Sequence, residues 1–248
     1  MFSAAMTPAD CAGKIRRSKK LAVLTGAGIS TSAGVPDFRG PKGLYVTRAY
    51  DPETVFDIGY FSVNPAPFYD FTRDFLAMLE TISPTPTHLF LARLEAGGKD
   101  IGIVTQNIDG LHQRAGSKRI YPIHGDYSTA RCRKCGKTVS GDDLAASLKA
   151  SPGVPACPAC GGVVKPDVVF FGENVRHLDK CLALAAESDL LLVLGSSLAV
   201  HPAASIPHHA GGEVIVVNRG PVALRPAEGV YLADAALDEF FAGVESRL

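Results

Sequence analysis

Four cysteines in the middle of the chain form two Cys-x-x-Cys pairs. They are Cys132, Cys135, Cys157 and Cys160, and residues 136–156 separate the two pairs. This spacing is close to that of zinc sites with four thiolate ligands. Because four sulfurs complete a tetrahedral coordination shell, the pattern predicts one structural Zn²⁺ with no position left for a catalytic water. Reduced cysteines that pair by chance are the alternative.

A glycine-rich loop lies near the start of the chain. An apolar run at residues 21–24 is followed closely by Gly26-Ala27-Gly28. Such a loop forms a tight turn, and its bare backbone can approach a pyrophosphate together with the N-terminus of a following helix. Thr31 stands where the G-x-G-x-x-G dinucleotide motif has its third glycine, so this loop alone is equally compatible with a purely structural turn.

Short apolar runs recur along the chain, and each is followed by a polar or glycine-rich loop. The runs cover residues 21–24, 101–104, 190–194 and 214–217. Runs without polar alternation are typical of strands that are covered on both faces. Helical patterns at residues 88–95 and 178–187 lie between the runs. The alternation predicts an α/β fold with a Rossmann-like, doubly wound parallel sheet, which binds ligands beyond the carboxyl ends of its strands.

Two segments interrupt this alternation. One is rich in proline and aromatic residues, and the other contains both cysteine pairs. We interpret them as a second, smaller domain made of a helical module, residues 41–86, and a zinc-binding module, residues 126–165. The large domain is then assembled from residues 1–40, 87–125 and 166–248.

Charge and hydropathy argue against two classes of partner. Lys plus Arg and Asp plus Glu number 25 each, so the chain has no net basic field for nucleic acid. The basic run at residues 14–20 is interpreted as a solvated helix end. No apolar run approaches the roughly 18–20 residues of a transmembrane helix, and no signal peptide is expected. We therefore expect no nucleic-acid partner, no membrane partner and, from the reduced cysteines, a cytoplasmic location.

Several motifs together resemble the sirtuin family. In order and spacing the resemblance runs from about residue 21 to residue 237, and it includes the two cysteine pairs. The other motifs are GAGIS at 26–30, GVPDFR at 34–39, TQNIDGLH at 105–112, HG at 124–125, FFGE at 170–173, GSSL at 195–198 and VN at 217–218.

The resemblance implies an NAD-dependent protein lysine deacetylase. Sirtuins cleave the nicotinamide bond of NAD and transfer the acyl group of an acyl-lysine peptide or protein to the ADP-ribose. The products are the free lysine, nicotinamide and O-acetyl-ADP-ribose. A mono-ADP-ribosyltransferase or an NAD hydrolase on the same fold is the alternative enzyme. A non-enzymatic NAD- or peptide-binding module would fit a chain that lacked His124 or Asn107, and this chain has both.

The resemblance assigns His124 and Asn107 to catalysis. His124 is interpreted as the general base, because an imidazole titrates near neutral pH and can remove a proton from a ribose hydroxyl. Composition alone would not select it among seven histidines. Asp109 and nearby backbone groups suit a carboxamide, which both donates and accepts hydrogen bonds.

By the same resemblance, the NAD-binding residues lie in four groups of motifs. These hold the pyrophosphate, close over the nicotinamide ribose, line the nicotinamide pocket and contact the adenosine half. The predicted residues are Gly26, Ala27, Gly28, Thr31, Asp37, Phe38, Arg39, Gln106, Asn107, Ile108, Asp109, Gly195, Ser196, Ser197, Asn218 and Arg219.

The substrate peptide is expected to bind as an added strand, with main-chain pairing that makes little demand on sequence. The predicted substrate-binding residues are Val169, Phe170, Gly172, Glu173 and Val200. A place in the hydrophobic core is an equally good interpretation of Val169 and of Phe170.

The acyl group is predicted to be neutral. Sirtuins that prefer acidic acyl groups carry a Tyr-x-x-Arg pair on a helix of the small domain, and the matching pair here is Tyr69 and Thr72. Arg73 is one residue later, about 100° further around a helix. Acetyl-lysine is therefore expected to react faster than succinyl-lysine.

Overall fold

The structure is a computed structural model that describes residues 5–36 and 50–248. Within these ranges, six parallel strands form the large sheet. They are β1 (Lys20–Thr25), β2 (Asp100–Thr105), β3 (Ile120–Pro122), β7 (Leu190–Leu194), β8 (Glu213–Asn218) and β9 (Val230–Asp234). Their order is β3-β2-β1-β7-β8-β9, which reverses direction between β1 and β7 as in a Rossmann-type sheet. The predicted fold class is confirmed.

Helices cover both faces of this sheet. On one face lie α1 (Pro8–Arg17), α5 (Pro86–Ala96) and α9 (Leu237–Glu245). On the other face lie α8 (Leu178–Glu187) and a 3₁₀ helix (Ala203–His209). Successive strand residues point to opposite faces of the sheet. Val23 therefore packs in the hydrophobic cluster on the face of α1, and Leu24 packs in the cluster on the face of α8. The prediction of a solvated basic helix end holds for Arg16 and Arg17, which are exposed in the last turn of α1. It is wrong for Lys14, which lies in the same turn but is half-buried in an ion pair with Glu213.

A smaller antiparallel sheet contains the cysteine pairs. Its strands, β4 (Thr129–Cys132), β5 (Thr138–Ser140) and β6 (Val164–Pro166), have the order β5-β4-β6. The remaining described helices are α2 (Pro52–Val55), α3 (Ile58–Val63), α4 (Ala66–Thr81), α6 (Leu111–Ala115) and α7 (Gly141–Ala150). Helix α7 begins where the Ser140 side chain accepts a hydrogen bond from the backbone N–H of Asp143.

The small sheet and helix α4 share one hydrophobic cluster. Phe68 and Phe71 of α4 lie in the same cluster as Leu144 of α7, and the Tyr69 hydroxyl donates to the carbonyl of Val164 in β6. The predicted helical and zinc-binding modules are therefore packed together, while their exact boundaries stay a prediction. No helix in the described ranges has the length and apolar character needed to cross a bilayer.

Candidate active site

The glycine-rich loop packs backbone against backbone at the point where the strand order reverses. Gly26 N–H donates to Leu194 O at 3.0 Å, and Gly28 N–H donates to Gly195 O at 2.9 Å. A Cβ on Gly28 would lie 2.7 Å from Gly195 Cα, so the close approach requires glycine. Gly195 N–H in turn donates to Val217 O at 3.0 Å. These bonds join the loop after β1 to the end of β7 and to Gly195, and they join Gly195 to the end of β8.

The expected α-helix after this loop is not formed. Two short 3₁₀ turns, Ala27–Ile29 and Thr31–Ala33, follow Gly26 instead. Gly34 ends the second turn in the left-handed conformation, at φ 101°. Thr31 is exposed, and its hydroxyl donates to Gly28 O at 3.1 Å. Three predicted NAD-binding residues, Asp37, Phe38 and Arg39, lie outside the described residues.

A buried serine connects the two polar side chains that follow β2. Ser30 Oγ donates to Asp109 Oδ2 at 2.7 Å and accepts from Asn107 Nδ2 at 3.1 Å. The second carboxylate oxygen of Asp109 accepts from the N–H of Leu111 at 2.9 Å, at the start of α6. Asn107, Ser30 and Asp109 therefore form one hydrogen-bonded group at the carboxyl edge of the sheet. Ser30 was not among the predicted site residues.

A second connection joins the predicted nicotinamide and adenosine sides. Gln106 Nε2 donates to Ser196 Oγ at 2.9 Å, and this buried hydroxyl also accepts from Leu198 N–H at 3.2 Å. Asn218 is buried as well, and its amide donates to Arg219 O at 2.9 Å. The hydrogen bonds of Ser196 and Asn218 thus stabilise the conformation of the loops that follow β7 and β8. Among the residues predicted for the adenosine half, Ser197 and Arg219 are exposed. Ile108 is half-buried against the hydrophobic cluster that α4 shares with the small sheet.

The half-buried His124 ring is oriented by a main-chain carbonyl. Its Nδ1 lies 2.9 Å from Gln106 O. Because a carbonyl only accepts, Nδ1 carries the proton and Nε2 of the neutral ring has a free lone pair. Burial lowers the pKa of His124 below the ordinary 6.5, and the bond to Gln106 opposes part of this shift. The ring is therefore neutral at pH 7 and can accept a proton at Nε2.

The main chain beside His124 joins it to the predicted peptide-binding stretch. Val169 N–H donates to His124 O at 2.8 Å. The adjacent Gly125 has φ 71°, and a Cβ there would lie 1.9 Å from Asp167 O. Only glycine allows the two segments to pass this closely. His124 thus lies between the Gln106 loop on one side and residues 167–169 on the other.

The predicted peptide-binding stretch contains both core and exposed residues. Phe170 is 2% exposed and packs edge-on against Phe56 and Phe61, so the core interpretation describes its side chain. Phe171 is 49% exposed, and its own N–H and carbonyl pair with the backbone of Phe56 and Ile58. Gly172 is exposed, and the half-buried residues of the stretch and its opposite wall are Val169, Glu173 and Val200.

A buried lysine that the sequence interpretation missed holds this stretch in shape. Lys165 Nζ donates to Val168 O at 2.6 Å and to Glu173 Oε2 at 2.9 Å, and it lies 3.9 Å from the centre of the Phe170 ring. The same Glu173 oxygen accepts from Phe170 N–H at 2.9 Å. The charge pair therefore closes the turn of residues 168–173. The only sequence signal for this role is a lysine within an apolar strand.

The four predicted metal ligands converge. The sulfurs of Cys132, Cys135, Cys157 and Cys160 all lie within 4.8 Å of one another. Two of the separations, Cys132 to Cys160 and Cys135 to Cys157, are 3.5 and 3.7 Å. A tetrahedral site with Zn–S bonds of about 2.3 Å needs about 3.8 Å between sulfurs. Hydrogen bonds from the N–H groups of Cys135 and Lys134 lower the pKa of Cys132 to about 6, which favours the thiolate. The donor set fits one structural Zn²⁺.

Helix α4 carries the residues from which the acyl preference was predicted. Tyr69 and Thr72 are fully buried in α4. Arg73 pairs with Asp70 at 3.1 Å and donates to the carbonyl of Gly153, next to α7. The Arg73 guanidinium thus lies between the helical and zinc-binding modules, and the preference for neutral acyl groups stays a prediction.

The parallel sheet, the glycine loop at its reversal point and the four-cysteine module define a nucleotide-binding α/β protein with a structural metal site. The Sir2 family model matches residues 26–202, which is more than half of the chain. The protein therefore belongs to the Sir2 family.

Relatives support this membership along most of the chain. An NAD-dependent protein deacetylase of Thermotoga maritima is 41% identical over 211 residues, with 83% of this chain and 84% of the relative covered. NAD-dependent protein deacetylase 1 of Pyrobaculum aerophilum is 42% identical over 215 residues, with 84% and 82% covered. A solved Sir2 complex with p53 peptide and NAD⁺ is 36% identical, with a TM-score of 0.86, and the match covers 97% of this chain and 98% of that chain.

Proposed function

We propose that the protein is an NAD-dependent protein lysine deacetylase that releases nicotinamide and O-acetyl-ADP-ribose. One observation carries the proposal beyond family membership: His124 is bonded to both halves of the site. Its ring donates to Gln106 O on the predicted NAD side, and its carbonyl accepts from Val169 on the predicted peptide side. These two bonds support our assignment of His124 as the base that acts between the two substrates.

The residues around His124 prepare it to act as a base. When bound, NAD supplies an electrophilic ribose carbon with nicotinamide as the leaving group. The lone pair on His124 Nε2 takes the proton of a ribose hydroxyl, and Gln106 O keeps the ring in the required tautomer. The Asn107–Ser30–Asp109 group fixes the amide and carboxylate that we assign to the nicotinamide pocket.

The substrate is an acyl-lysine peptide or protein. Solved Sir2 structures with an acetylated peptide and with a propionylated peptide are each 34% identical to this chain and have TM-scores of 0.84. We assign main-chain pairing with the substrate to residues 169–173, whose turn is closed by the Lys165–Glu173 pair. The zinc site contributes stability and no chemistry, since four thiolates complete its shell. A cytoplasmic location and the absence of nucleic-acid partners stay predictions.

Product analysis tests the proposal. The protein is incubated with NAD and an acetyl-lysine peptide, and the products are identified by mass spectrometry. We expect free lysine, nicotinamide and O-acetyl-ADP-ribose in equal amounts. ADP-ribose without deacetylated peptide would instead indicate an NAD hydrolase, and an ADP-ribosylated protein would indicate a transferase. The same assay with succinyl-lysine tests the acyl preference, which is wrong if desuccinylation is the faster reaction.

A further inference from the structure

We propose that a basic cavity beside the peptide-binding stretch binds an acidic side chain of the substrate, at a position that flanks the acyl-lysine. The inference rests on the proposed function, since it names a feature of the same peptide substrate. The cavity has a volume of about 330 Å³. The charged residues in its wall are Arg131, Arg133, Lys165, Asp167, Glu173 and Arg176.

The two carboxylates in the wall are already neutralised. Glu173 Oε2 lies 2.9 Å from Lys165 Nζ, and Asp167 Oδ1 lies 2.9 Å from Arg176 NH2. Lys165 is 7% exposed, so the first pair is largely shielded from water. Neither carboxylate is free to take up a further cation or to repel an anion strongly.

Two arginines remain to bind an anion. Arg131 is only loosely associated with Asp167, at 3.8 Å, and its side chain is 64% exposed. Arg133 is exposed and forms no ion pair with any residue in the part of the chain that the structure describes. With four cations against two carboxylates, the cavity has a surplus of two positive charges on a chain whose net charge is zero. The surplus is therefore local.

The surroundings of Lys165 support a positive potential in this cavity. Burial is the main cause of the lowered pKa of Lys165, the bond to Glu173 opposes the shift, and repulsion from the charges of Arg133 and Arg176 makes smaller contributions to it. An incoming carboxylate relieves this repulsion, and guanidinium groups bind carboxylates through paired hydrogen bonds. An acidic side chain therefore fits the cavity better than a neutral or basic one.

The position of the cavity identifies its occupant as part of the substrate. Val169 and Glu173 line the cavity and also belong to the stretch that we assign to main-chain pairing. Val169 is bonded directly to the main chain of His124. A peptide added along residues 169–173 alternates its side chains between two sides, so a residue near the acyl-lysine can point towards Arg131 and Arg133.

Paired peptides test the inference. Two series of acetyl-lysine peptides are compared, with Glu or Gln placed in turn at each of the positions around the lysine. We expect the KM of the Glu peptide to be about 5-fold lower at one or two positions, because each exposed ion pair contributes modestly. High salt should remove the difference. In Arg133→Gln the difference should shrink, while kcat and the KM of the Gln peptides stay unchanged.

Charge reversal provides the stricter test. Arg133→Glu should reverse the preference, so that a Lys peptide binds better than the Glu peptide at the same position. Arg247→Gln is the matched control, because it removes an exposed guanidinium just beyond α9 and should leave the preference intact. Equal KM values for Glu and Gln peptides at every position, with normal deacetylation, would overturn the inference alone. Absence of deacetylation for both series would overturn the proposed function, and direct binding of the same peptides would then decide whether the cavity still selects an acid.

Discussion

At the scale of single residues, the site depends on side chains whose hydrogen bonds fix their chemical state. The Nδ1–H of His124 donates to a main-chain carbonyl, which leaves the lone pair of Nε2 free for the proposed role as a base. The Ser30 hydroxyl hydrogen-bonds to both Asn107 and Asp109 and thereby fixes the orientation of their side chains. The chemistry that these residues can perform follows from such partners as much as from their identities.

The lowered pKa of His124 predicts an unusual pH dependence. The base acts in its neutral form, so activity falls as the pH drops through the pKa of the imidazole. Because burial lowers that pKa, the acid limb of kcat/KM for a peptide without ionisable side chains should have its midpoint below 6.5. A midpoint clearly above 6.5 would show that the site stabilises the imidazolium, in conflict with the observed burial.

Some of these residues were predictable and others were not. His124 and Asn107 were predicted as site residues because each lies in a recognisable string of residues, and their catalytic roles stay a prediction. Ser30 was missed as a site residue because its partners are 77 and 79 positions away, and no local pattern reports such contacts. The role of Lys165 depends on the Glu173 side chain folding back over a turn, which the sequence does not indicate.

At the scale of elements, hydrophobic patterning predicted the central strands and missed the edges. The run at residues 214–217 lies within β8, whose inner residues are all buried. Strands β3 and β9 occupy the two edges of the sheet and are mostly half-buried. Strand β3 has only three residues, which is too short for a distinct apolar run, and the run Val230-Tyr231-Leu232-Ala233 of β9 was not among the predicted strands. After the glycine loop, residues 27–33 form two 3₁₀ turns instead of the expected helix, and the second turn ends at Gly34.

The Lys165–Glu173 pair is expected to position the peptide-binding element. In Lys165→Met, the turn of residues 168–173 loses its charged bonds, and the KM of a neutral acetyl-lysine peptide should rise about 10-fold. The KM for NAD should not change, and Lys165→Arg should restore part of the peptide affinity. Steady-state kinetics against each substrate measures the effect.

The control for that variant is Lys149→Met, which breaks an exposed pair with Glu80 in the same part of the molecule. It should leave both KM values unchanged. If Lys165→Met lowered kcat and left the peptide KM at its original value, the pair would have no positioning role in peptide binding.

At the scale of the whole molecule, two sheets with separate cores form one site. The large sheet supplies the glycine loop and the polar loops. The smaller domain packs through α4 against the segment that contains Phe170. Unfolding of the smaller domain should therefore also disturb the peptide-binding stretch, because Phe68 of α4 packs against Phe170.

Removal of the metal tests this connection. Cys132→Ala, or treatment with a strong chelator, should remove one zinc per chain and lower the Tm by about 10 °C. Loss of the metal should unfold the smaller domain and abolish deacetylation, because Cys132, Cys157 and Phe170 share one hydrophobic cluster. Elemental analysis, thermal unfolding and activity are measured on the same sample. A metal-free variant that is fully folded and active would contradict the assignment.

The most direct test of the central claim separates NAD binding from turnover in His124→Ala. Because His124 contacts the Gln106 loop through a main-chain carbonyl and is assigned no role in holding NAD, calorimetry should give an NAD Kd within about 3-fold of the original protein. Turnover of an acetyl-lysine peptide should fall at least 100-fold, as expected for the loss of a general base. A variant that deacetylates within about 10-fold of the original rate would contradict the account, because the imidazole could then not be the base.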